Sequence, residues 1–138
     1  MENNKSLKIM EDIIIKNNLC ISQNPQGLTK SWPKSYVCKF YNRLLEKNIN
    51  TKGIINFLDI DSKNKYQKIL WEMSFKNLNL IQAQISEFDF PNSQKYSVIN
   101  NGFDIVIMNE IPLYHHTNIT RNILNQLNKK GLLILEDC

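Results

Sequence analysis

Apolar and polar positions along this 138-residue chain change period several times. Over 7–15, Leu7, Met10, Ile13 and Ile14 fall on one helical face, and Ser6 stands where an N-cap belongs. Tyr36, Phe40, Tyr41, Leu44 and Leu45 give a second apolar stripe, on a helix predicted to end near Asn48 before Gly53. IINFLDI (54–60) breaks that rhythm: it is short, almost unbroken in its apolar character and rich in β-branched residues, as a strand covered on both faces must be. It is predicted to be central in its sheet. Tyr66, Ile69, Leu70 and Met73 return to helical spacing, and LNLIQAQI (78–85), FDIVIM (103–108) and GLLIL (131–135) supply three more strands. Ile119, Ile123, Leu124 and Leu127 mark a helix between the last two, with Thr117 as its expected cap.

Strands alternating with helices over short connections predict a parallel, doubly wound α/β sheet. The whole chain, 1–138, is expected to form a single domain, with helices and a loop over 1–53 and the α/β core over 54–138. Segment 22–35, with Pro25, Gly27 and Pro33, reads as a loop, and 86–101 is the one long irregular stretch.

Composition narrows this further. With 42% hydrophobic and 22% charged residues and a mean hydropathy of -0.37, the chain is compositionally globular, and no apolar run is long enough for a membrane span. No signal-peptide core follows the polar start, because Lys8, Glu11, Asp12 and Lys16 interrupt the apolar residues. Cys20, Cys38 and Cys138 are dispersed and form no C-x-x-C pair, which suits reduced thiols and a cytoplasmic location. The net charge of +4 is spread among acidic residues, with no clustered motif for nucleic acid.

The run FDIVIMNE, then His115 and His116, then ILNQLNKKGLLILED resembles the fourth strand, following helix and fifth strand of class I S-adenosylmethionine-dependent methyltransferases. Upstream, TKSWPKSYVCKFYNRLL (29–45) is similar to the entry segment of macrocin-type sugar O-methyltransferases: Lys30, Ser35, Tyr36 and Leu45 match, while Thr29 and Lys34 replace an aspartate and a histidine. LDIDSKNKYQKILW (58–71) has the spacing of that branch's glycine-rich first strand and helix, with Leu58, Ile60, Leu70 and Trp71 agreeing and Asp59 standing for a glutamate. Its glycines are replaced by Asp61, Lys65 and Tyr66, where the backbone would have to turn tightly beside a cofactor and where Lys65 and Tyr66 would tend to fill the cavity. In a second register the same stretch resembles the second strand, helix and third strand, with Asp61 as the acid that binds ribose hydroxyls.

The resemblance implies a three-layer, mainly parallel Rossmann-like sheet, truncated after the fifth-strand equivalent. It implies S-adenosylmethionine as a cofactor, held near Asp59, Asp61 and Asn109, although both registers damage that site. It also implies a divalent metal. The family's metal-binding acids fall on Met108 and Asn109, leaving Asn109, Glu110 and Asp137 as candidate oxygen ligands. His115 and His116 are the candidates for a general base on a hydroxyl nucleophile. Three functional readings follow: a relative of O-methyltransferases with weak or lost cofactor binding, an active enzyme on a sugar or metabolite hydroxyl, and a non-catalytic subunit that binds a partner. The uncharged GLLIL edge predicts a homo-oligomer or a protein partner at 131–135.

Overall fold

The computed structural model describes residues 9–19, 36–62, 65–85, 102–109 and 116–136. The elements run α1 (Ile9–Lys16), α2 (Tyr36–Leu44), α3 (Glu46–Ile49), β1 (Ile55–Ile60), α4 (Lys65–Ser74), β2 (Leu78–Ala83), β3 (Phe103–Asn109), α5 (His116–Leu124) and β4 (Leu127–Glu136). They divide into two compact units, residues 1–54 with 63–77 and residues 55–62 with 78–138.

The first unit is helical. Met10 and Ile14 of α1 are fully buried, and the Met10 backbone N–H donates to the Asn42 side chain at 3.1 Å, giving a first-turn amide the acceptor its own helix lacks. Tyr41 meets Trp71 of α4 edge to face, with ring centroids 5.6 Å apart. The buried stripe through α2 and α3 is Tyr41, Asn42, Leu45 and Ile49, and Phe40, expected on that stripe, is 44% exposed. A similar rotation occurs on α4. Gln67, Leu70, Trp71 and Ser74 are its buried residues, whereas Ile69 and Met73, expected inside, lie on the exposed side. Both sets satisfy helical spacing, and the indole decides between them, because no other side chain of α4 removes as much apolar area from water.

The second unit holds a four-stranded, all-parallel open sheet in the order β2-β1-β3-β4. IINFLDI is central, as expected, and 103–108 and 131–135 are adjacent. One face carries two rungs, Ile81–Leu58–Val106–Leu133 and Ala83–Ile60–Met108, against which Ile123 of α5 packs. The other face carries Phe57, Asp59, Ile105 and Ile107, all fully buried. Covering both faces of β1 and β3 is what their unbroken apolar runs demand, at about 1.5–3 kcal/mol for each large side chain buried.

The last connection differs from its sequence reading. Leu127, expected on the helix, opens β4 opposite Phe103, and Thr117 lies inside α5 instead of capping it. The register then jumps, with Phe103 opposite Leu127 but Ile105 opposite Leu132, so β4 carries an irregularity over 128–131. Asp104 helps to hold it: its carboxylate accepts from the Asn56 backbone N–H at 2.8 Å and from the Asn128 amide at 3.3 Å. Among the described residues no helix is long and apolar enough to cross a membrane.

Candidate functional site

In the order β2-β1-β3-β4 the chain leaves β1 for one side of the sheet and returns to the other, so the direction of winding reverses between β1 and β3. Open parallel sheets bind ligands in the crevice outside the carboxyl ends of the two strands at such a switch point. Here that place belongs to Asp59 and Ile60 of β1, Asp61 just beyond, and Asn109 at the end of β3.

The structure brings Asp59 and Asn109 into direct contact. The Asn109 amide nitrogen donates to Asp59 Oδ1 and to the Ile60 carbonyl oxygen, both at 2.8 Å. Asp59 is fully buried and Asn109 is 8% exposed, so both hydrogens of one amide are spent tying β3 to β1 inside the protein. A hard cation would need oxygen ligands at this point. The side chain from β3 presents a nitrogen donor instead, which already occupies the position between the two acceptors. Among the described residues no group of three or more His, Cys, Asp or Glu is placed to hold a metal ion.

Asp61 turns the other way. Its backbone is left-handed, with φ of 56°, its N–H donates to the Ala83 carbonyl at 2.9 Å, and its Oδ1 accepts from the Ile85 N–H at 3.1 Å. It therefore clamps the end of β1 to the end of β2. The conformation is one that Asp tolerates far better than most residues and that Gly adopts freely. Asp61→Asn should leave stability within about 0.5 kcal/mol of wild type, because the acceptor and the tolerance for positive φ both persist. Asp61→Ala loses both and should cost about 1–3 kcal/mol, read from the urea unfolding midpoint.

Of the other residues singled out in the sequence, Lys65 and Tyr66 open α4, where Lys65 is solvent-exposed with its ammonium 5.2 Å from the Tyr66 ring centroid. Trp71 is fully buried. His116 is the first residue of α5, described in its backbone alone, while His115, Glu110, Asp137 and the 29–35 part of the entry segment lie outside the described residues. Sequence reasoning placed Asp59 and Asn109 separately in a cofactor site and missed their mutual bond. A signal was present: each is the polar exception at the carboxyl end of an apolar strand, a position that is filled cheaply only when a partner answers it. Asp104, the polar exception at the opposite end of β3, was missed for its structural role in the same way. Ser62 Oγ, next to Asp61, is buried with no hydrogen-bond partner among the described residues. Comparison of the chain with protein-family models, with curated proteins and with solved structures finds no match.

Proposed function

We propose that this chain is a methyltransferase-like domain of the three-layer Rossmann-like kind whose S-adenosylmethionine site is closed, and that it works as a non-catalytic, partner-binding subunit. Strand order supports the ancestry. In a doubly wound sheet of order 3-2-1-4-5-6 the first strand bonds directly to both the second and the fourth. β1 bonds directly to the strand carrying FDIVIM, the fourth-strand match, which favours reading 58–71 as the first strand and helix and disfavours the second register. The positive φ at Asp61 falls where that alignment has its first glycine.

One observation carries the loss of cofactor binding: the Asn109 amide is bonded into Asp59 and Ile60 across the switch point, where a nucleotide's polar groups would have to be received. Asp61 offers little more, since its Oδ1 is engaged by Ile85 and its Cβ stands where the alignment asks for glycine. These residues do not fit S-adenosylmethionine, and no catalytic step is derived through it. Partner binding, in a cytoplasmic setting, rests on the outer edge of β4 at 131–135. Calorimetric titration with S-adenosylmethionine and with its demethylated product should give dissociation constants weaker than about 1 mM, that is, less than about 4 kcal/mol of binding. A low-micromolar constant would overturn the reading in favour of an active O-methyltransferase, with Asp59 and Asp61 the first residues to substitute.

A further inference from the structure

We draw no further inference here: the strongest candidate, the surface patch on α4 where Ile69 and Met73, 37% and 47% exposed, stand one turn apart beside the exposed Lys65 and Lys68, is an unpartnered apolar face, and nothing among the described residues shows what covers it.

Discussion

Asn109→Asp is expected to be the most damaging single-atom-scale change in this protein. The substitution exchanges an amide nitrogen for a carboxylate oxygen at a point 2.8 Å from Asp59 Oδ1 and 2.8 Å from the Ile60 carbonyl. Two donated hydrogen bonds become two oxygen–oxygen contacts, one of them between carboxylates, at a place where Asp59 has no exposure to water. Leaving a buried charge uncompensated in this way costs about 3–5 kcal/mol, a large share of the stability of a domain of ordinary size. Asn109→Ala, which removes the donor without adding a charge, should cost less, about 1–3 kcal/mol. Chemical denaturation of the two variants at neutral pH reads the difference. Acidification gives a second readout. Protonating one carboxyl of the opposed pair restores a donor between the acceptors, and the folded variant then binds more protons than its unfolded chain, so its deficit relative to wild type should shrink as pH falls. An Asn109→Asp variant as stable as wild type would mean that the crevice between β1 and β3 opens readily to water.

The same residues show how far the sequence reached. IINFLDI and FDIVIM announced themselves as central strands because a strand buried on both faces has to be apolar at almost every position, and that constraint is local. The parallel order followed from the helices between them. The inner face of α4 was misread because Tyr66, Ile69, Leu70 and Met73 and the observed Gln67, Leu70, Trp71 and Ser74 are both valid helical stripes, and only tertiary packing ranks an indole above an isoleucine. The candidate site divides along the same line. That Asp59, Asp61 and Asn109 sit at carboxyl ends of strands was legible from the strand boundaries. Their hydrogen bonds were not, because Asp59 and Asn109 are fifty residues apart and meet only through the β1–β3 pairing. Parallel pairing is specified by the whole sheet, whereas a hairpin would have been written in a turn.

The second large effect is expected at Gly102, just ahead of β3. Its φ of 79° lies in the left-handed region, and a Cβ built there would stand 2.5 Å from the Gln126 carbonyl oxygen and 3.0 Å from the Asn128 nitrogen, all backbone. The Phe103 N–H donates to that same Gln126 oxygen at 2.8 Å, so the carbonyl cannot retreat without giving up its bond. Gly131 guards the other side of Phe103, where a Cβ would lie 2.7 Å from the Phe103 carbonyl oxygen. These two glycines therefore let the start of β3, the turn after α5 and the irregular part of β4 close on one another around a phenylalanine that is fully buried. Leu127, read from sequence as a helix residue, is in strand pairing because of this junction. Gly102→Ala combines about 1–2 kcal/mol for a left-handed L-residue with about 1–3 kcal/mol for overpacking against backbone, roughly 2–5 kcal/mol in all. Gly53→Ala is the control: at Gly53 the nearest atom to an added Cβ is a threonine methyl 3.7 Å away, ordinary contact, and the change should be close to neutral. Thermal and urea unfolding of the two variants should separate them clearly. Hydrogen exchange on Gly102→Ala should show the loss of protection concentrated in β3 and β4, because the substitution strains their junction, while α1 and α4 keep the protection of the wild type.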